Sequence, residues 1–222
     1  MQFGEIEARA ADRKGGAKAL ESLLKSSLPR DKLLAVPDER WLSEMTRSIF
    51  QAGFSWELID KRWPQFEAAF EGFNVTRWLF MSDDDLDHLL KAPGLVANAQ
   101  KIKSVQGNAQ FISEMDKSHG SASAWFDSWP LDRYMELCAE LKARGSRLGG
   151  ATGQRVMRSL GRDAFILTPT VVKALKACGV VAGEPPTSKK DLAAVQDALT
   201  AWHGQSGRGL TQMSQILAFS VD

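Results

Sequence analysis

Apolar residues in this chain recur at three- and four-residue spacing in one segment after another, and runs alternating with period two are scarce. Such a pattern buries stripes along helices and leaves little for a half-buried strand, so the expected fold class is all-α. The clearest stripe lies in "DERWLSEMTRSIFQA", where Trp41, Leu42, Met45, Ile49 and Phe50 share a face and Gly53 follows as a terminator. Ser55 is a good N-cap for the next helix, "WELIDKRWPQFEAAFEGF", which Pro64 is expected to break or kink. Ser82 before an acidic first turn opens a short helix with favourable dipole charges. "NAQKIKSVQGNAQFISEM" puts Ile102, Val105, Ala109 and Ile112 on one stripe, and the "KSHGSASAW" that follows reads as a loop. Further helices are expected in "LDRYMELCAELKARG", in "LTPTVVKALKACG" with Thr168 as cap and Pro169 at the first helical position, after Thr187 or Ser188, and in "GLTQMSQILAFSV". That makes roughly ten helices. The first thirty residues are polar and predict either one extra helix or a loosely attached arm.

Length and charge narrow the function classes. A chain of 222 residues suffices for one large domain or two small lobes sharing a core. Its net charge is +1, so there is no global basic field, and any nucleic-acid surface has to be a local patch. No run approaches the length of a membrane span, and the charged N-terminus lacks the apolar core of a secretory signal, so a cytoplasmic location is expected. Cys138 and Cys178 read as reduced core residues, although a disulfide stays open. His88, His119 and His203 are scattered without ligand spacing; no metal site and no cofactor are expected.

Two stretches carry chemistry. "LKARGSRLGGATGQRV" runs helix, glycine-rich turn, helix, with Arg144, Arg147 and Arg155 around Gly149, Gly150 and Gly153. Glycines let backbone amides approach a phosphate, and the following helix offers its positive end, which is the logic of a helix-hairpin-helix DNA clamp. The plainer alternative is a flexible turn with solvated arginines. "QAGFSW" sets Phe54 and Trp56 on a turn; on composition alone both rings read as core.

Context changes that balance. "FQAGFSWELIDKRWPQFEAAFEGFNVTRW" followed by "LLKAPGLVANAQKIKSVQGNAQFI" resembles DNA-3-methyladenine glycosylase I of the helix-hairpin-helix glycosylase superfamily. The shared elements are Gln51, Ala52, Gly53, Ser55 and Trp56, then Phe66 and Phe70, then Gly94, Lys101, Ile102 and Gly107-Asn108-Ala109, with "LKARGSRLGGAT" at the place of the hairpin. The resemblance covers residues 41 to 115 well and 137 to 160 more loosely. It implies a two-lobed α-helical glycosylase within residues 1–222: an N-terminal extension over 1–40, a first lobe over 41–135 and a hairpin-containing lobe over 136–222. It also implies base extrusion from double-stranded DNA, with Phe54 as the wedge, Trp56 as the stacking platform and Gln51 at the pocket. DNA contacts are then expected from Arg147, Gly149, Gly150, Thr152, Gly153, Arg155 and Lys101.

Three departures from that family bear on chemistry. The Cys and His residues of its zinc clasp have no counterparts here, nor have the aromatic pocket residues near its N-terminus. Its pocket glutamate falls on Ser48, and the nearest carboxylate on that helix face is Glu44, one turn earlier. The catalytic aspartate of the wider superfamily falls on Thr168. Glu44 and Ser48 are therefore the catalytic candidates. An N3- or N7-alkylated purine is already cationic and a good leaving group, so the expected activity is monofunctional removal of alkylated purines by a monomer. The alternative is a catalytically silent DNA-damage binder of the same fold; a decayed helical scaffold is a third reading. A lyase would need a lysine after the hairpin, where Gln154 and Arg155 stand instead.

Overall fold

The computed structural model describes residues 2–183 and 185–221. Among these, every regular element is helical: α1 (Phe3–Lys14), α2 (Ala17–Leu23), α3 (Arg30–Leu34), α4 (Asp38–Gln51), α5 (Trp56–Ala69), α6 (Val75–Trp78), α7 (Asp83–Lys91), α8 (Ala99–His119), α9 (Ala122–Asp127), α10 (Tyr134–Arg144), α11 (Ala151–Ser159), α12 (Pro169–Ala177), α13 (Lys189–Ser206) and α14 (Leu210–Phe219), with two short 3-10 turns. The all-α expectation holds, with more and shorter helices than the spacing suggests. Local chemistry starts many of them. Ser82 and Asp85 form a reciprocal capping box at α7, Asn98 accepts from the Lys101 amide at 3.1 Å at α8, and Thr168 accepts from the Val171 amide at 3.2 Å at α12.

Pro64 does not interrupt α5, which runs on to Ala69. A proline inside a helix costs about 3 kcal/mol, but the rings around it are locked in place. Trp63 stacks on Phe66 at 5.0 Å and on Phe73 at 5.6 Å, and Phe66 meets Phe50 edge-on at 4.9 Å. Burying several aromatics at about 1.5–3 kcal/mol each outweighs the lost hydrogen bond. The predicted "SASAW" loop is likewise the start of α9. Ser121 caps it, accepting from the Ala124 amide at 3.0 Å, and buried Phe126 stacks on Trp41 at 4.1 Å.

The chain divides into two units, and not where the sequence suggested. The hairpin unit comprises Pro29–Ser128 with Ala139–Leu160; the terminal unit comprises Met1–Leu28, Trp129–Cys138 and Gly161–Asp222. The expected boundary between 41–135 and 136–222 is thus corrected: the glycine-rich turn shares a unit with α4 and α8 rather than with the C-terminal helices. Non-local packing decides this. In the hairpin unit α8 is the spine, packed by α4, α6, α7 and α9, while α11 lies against α4. Its stripe of Ile102, Val105, Ala109 and Ile112 is fully buried.

The first thirty residues are not a loose arm, and the expected 1–40 extension divides, residues up to Leu28 falling in the terminal unit and those from Pro29 in the hairpin unit. Phe3, Ile6 and Ala10 are fully buried, and α1 packs on α13 and α14. Arg208 bonds Glu7 at 2.6 Å and Glu21 at 2.8 Å. Asp163 accepts from the Leu210 and Thr211 amides at 2.8 Å each, capping α14 where Gly209 has no side chain to do so. Cys138 and Cys178, expected in the core, are only half-buried. Among the described residues no helix is long and apolar enough to cross a membrane, and no cluster of three or more His, Cys, Asp or Glu side chains is placed to hold a metal ion.

Candidate functional site

The aromatic turn follows from how α4 ends. Gln51 is its last residue, Gly53 adopts φ 99°, and Ser55 caps α5, so the chain reverses within a few residues. A left-handed φ there suits glycine because a Cβ would strain it. Trp56, the first residue of α5, is 49% exposed. Phe54 is half-buried, so neither ring is sealed in the core as composition alone suggested, and the two differ in exposure. The Lys101 ammonium lies over the Phe54 ring, 4.5 Å from its centroid.

Along α4, Glu44, Ser48 and Gln51 fall at i, i+4 and i+7, one face of the helix. The Ser48 hydroxyl donates to Glu44 at 3.4 Å, and Ser159, the last residue of α11, also hydrogen-bonds the Glu44 side chain. Burial pushes the Glu44 carboxyl above its ordinary range, an effect these bonds and the Arg47 charge only partly offset. Gln51 donates to Asp60 Oδ1 at 2.7 Å, and Arg47 donates to the same oxygen at 2.9 Å and 2.8 Å. That carboxylate braces α4 against α5. One turn before Ser159 on α11, the Arg155 guanidinium lies 5.1 Å over the Trp56 ring. Residues four apart on a helix are separated by about 6 Å along its axis. The α11 face therefore carries contacts to Trp56 and to Glu44 one turn apart.

The glycine-rich turn is built by close approach. A Cβ on Gly153 would lie 2.4 Å from the Leu148 carbonyl oxygen, and one on Gly145 would lie 2.8 Å from that of Leu141. Arg147 and Gly150 take φ 62° and 61°. At the N-cap of α11, Gly150 offers no side chain to its first amides, so those of Ala151, Thr152 and Gly153 have no intrahelical acceptor. A buried asparagine on α8 holds the turn. Asn108 accepts from the Ser146 amide at 2.8 Å and donates to the Ser146 carbonyl at 3.1 Å, mimicking a backbone pair. Arg147 reaches back to Gln100 on the same helix.

Most of the sequence-selected residues thus fall in one unit. Trp56, Arg155, Glu44, Ser48 and Gln51 line the contacts among α4, α5 and α11, while Arg147, Gly149, Gly150, Thr152 and Gly153 make the hairpin. Lys101 does not belong with the hairpin contacts. It is 7% exposed and donates to three carbonyls. Thr168 lies in the terminal unit, its hydroxyl occupied as a cap. Sequence reasoning missed Ser159, Asp60 and the role of Asn108; a polar residue interrupting the α8 stripe was the available signal for the last.

Known proteins can now be set beside this geometry. A model of the methyladenine glycosylase family matches residues 35–187. The chain belongs to that family. DNA-3-methyladenine glycosylase 1 of Escherichia coli (strain K12) is 28% identical over 68 residues, 31% of this chain; the chain spans only 36% of the length of that curated relative. A solved 3-methyladenine DNA glycosylase I from Staphylococcus aureus, described for its recognition of 3-methyladenine, matches with a TM-score of 0.50 at 20% identity, over 65% of this chain and 84% of that one. At that identity the likeness is one of fold. The family match spans the aromatic turn and the hairpin, the two features that the residues themselves single out.

Proposed function

We propose that this methyladenine glycosylase family member is a monofunctional DNA glycosylase that hydrolyses the N-glycosidic bond of cationic alkylated purines in double-stranded DNA, acting as a monomer in the cytoplasm. The observation that carries the reading is the pairing on α11: an exposed indole and a carboxylate packed one helical turn apart. Hairpin amides and Arg147 grip the backbone, and Phe54 fills the stack from which the nucleotide leaves. Trp56 stacks on the extruded base; such stacking offsets the few kcal/mol of unstacking. The C1′–N bond breaks with its electron pair going to the purine, which loses its positive charge as it departs. Glu44 stabilises the resulting sugar cation and takes the proton of the attacking water, which ends bonded to C1′. No general acid is needed for a leaving group already cationic, which fits a serine at position 48.

Purified protein should release 3-methyladenine from methylated DNA. Trp56→Ala should cut that release by about one to two orders of magnitude, the range expected for a lost stacking partner.

One observation favours a second reading. Glu44 is already engaged by two serine hydroxyls and is pushed toward its neutral form. A silent binder of damaged DNA would then bind in a salt-sensitive way weakened by changing Arg147, with no base released. Retained binding without release over background decides for that reading.

A further inference from the structure

Lys101 occupies a place on the α8 stripe where an apolar residue would pack, yet its charge is spent inside the protein. Its three N–H bonds have three acceptors: the carbonyls of Ile49 at 2.8 Å, Phe50 at 3.2 Å and Ala52 at 2.6 Å. These belong to the end of α4 and its C-cap, where no further helical residue supplies donors. The same ammonium lies 4.5 Å from the Phe54 centroid and 5.5 Å from that of Phe50. One group therefore closes the helix, complements the negative end of its dipole and holds the ring that follows. The backbone itself closes only the neighbouring carbonyls: the Ala52 amide donates to that of Ser48 at 3.1 Å and the Phe54 amide to that of Gln51 at 3.5 Å.

We propose that Lys101 is a positioning residue for nucleotide extrusion: seated in the carbonyl cup at the end of α4, it fixes the direction in which the Phe54 ring enters the base stack. The role presupposes the glycosylase activity proposed above, and it replaces the phosphate contact expected from the sequence. Burial, and secondarily the Arg147 guanidinium, holds the Lys101 amine below its ordinary pKa, in keeping with a charge tolerated only because carbonyls face it.

The test compares Lys101→Met with the wild-type chain. Amide hydrogen exchange over residues 52–56 should speed up by about tenfold or more, while α8 and the hairpin keep their protection. The single-turnover rate of base release at saturating methylated duplex should fall by about tenfold, with affinity for undamaged duplex unchanged. In a Phe54→Ala background the same substitution should cost nothing further, because the ring it positions is gone. Unchanged exchange at the turn overturns the proposal, as does a loss that multiplies with that of Phe54→Ala.

If the wild type releases no base, the glycosylase reading fails on its own. Exchange at the turn and binding to a duplex with an abasic-site analogue, each expected to be altered by Lys101→Met, then decide the positioning role. If Lys101→Met does not fold, Phe54→Leu decides by nitrogen-15 spectroscopy of the Lys101 ammonium. A moved resonance with faster proton exchange supports the contact, and an unmoved one overturns it.

Discussion

Two turns in the hairpin unit are fastened to the same helix by opposite chemistry. The aromatic turn after α4 presents orphan carbonyls, and a buried ammonium from α8 absorbs them. The turn before α11 presents amides without intrahelical acceptors, and there α8 supplies neutral side chains, Asn108 at the base of the turn and Gln100 to Arg147. The first turn has its carbonyls met and carries the two rings; in the second, the first amides of α11 lack an intrahelical acceptor. Under the proposed function this becomes a division of labour, in which rings and carboxylate act on the base while the glycine turn grips the backbone. Substitutions in one should leave the other's function standing.

The largest effect is expected on the chemical side. Glu44→Gln should slow base release by about 10²–10⁴-fold, the usual worth of a positioned proton acceptor, while duplex affinity is retained. Weakened binding in step with the rate would erase the proposed division. The same variant has a stability signature. Burial raises the Glu44 pKa above its ordinary 4.5, so the folded protein holds that proton more tightly than the unfolded chain does. The stability this linkage contributes is fully present below about pH 4.5 and is lost as pH rises through the elevated value. Glu44→Gln should therefore melt higher than wild type at pH 7, and the difference should vanish below pH 4.5. Equal melting temperatures at both pH values would show that the carboxylate is not desolvated.

On the gripping side, Gly153→Ala sets a methyl group 2.4 Å from the Leu148 carbonyl. It should cost about 1–3 kcal/mol in denaturant unfolding and flatten the salt dependence of duplex binding, with hydrogen exchange at residues 52–56 unaffected. A smaller change is expected for Asn108→Ala, which removes two hydrogen bonds worth about 1 kcal/mol each. It should loosen exchange in the hairpin while the aromatic turn, tied to α8 by Lys101, keeps its protection. If both turns loosen together, they are one cooperative element rather than two.

Much of this was legible in the sequence. The helical stripes, the caps at Ser55, Ser82 and Thr168, and the glycine terminators are local features, set by side chains within a turn of one another, so spacing alone finds them. The order of the QAG-x-SW, GNA and glycine-rich blocks was enough to point to the family. The helix is not broken at Pro64 because the local penalty is outweighed by rings from three other positions. The "SASAW" segment misled because its glycine and serines look like a loop until Trp41 supplies a partner for Phe126.

What no reading along the chain could supply was the choice of partner across it. A lysine between apolar stripe residues reads as a charge for a phosphate; only the tertiary structure brings three helix-end carbonyls to it and turns it inward. The assignment of the hairpin to the unit of α4 and α8 was decided in the same way. Helix formation is governed by neighbours three and four residues away, which the sequence displays. The destination of a buried charge or an orphan carbonyl depends here on residues about fifty positions off, and folding alone selects them.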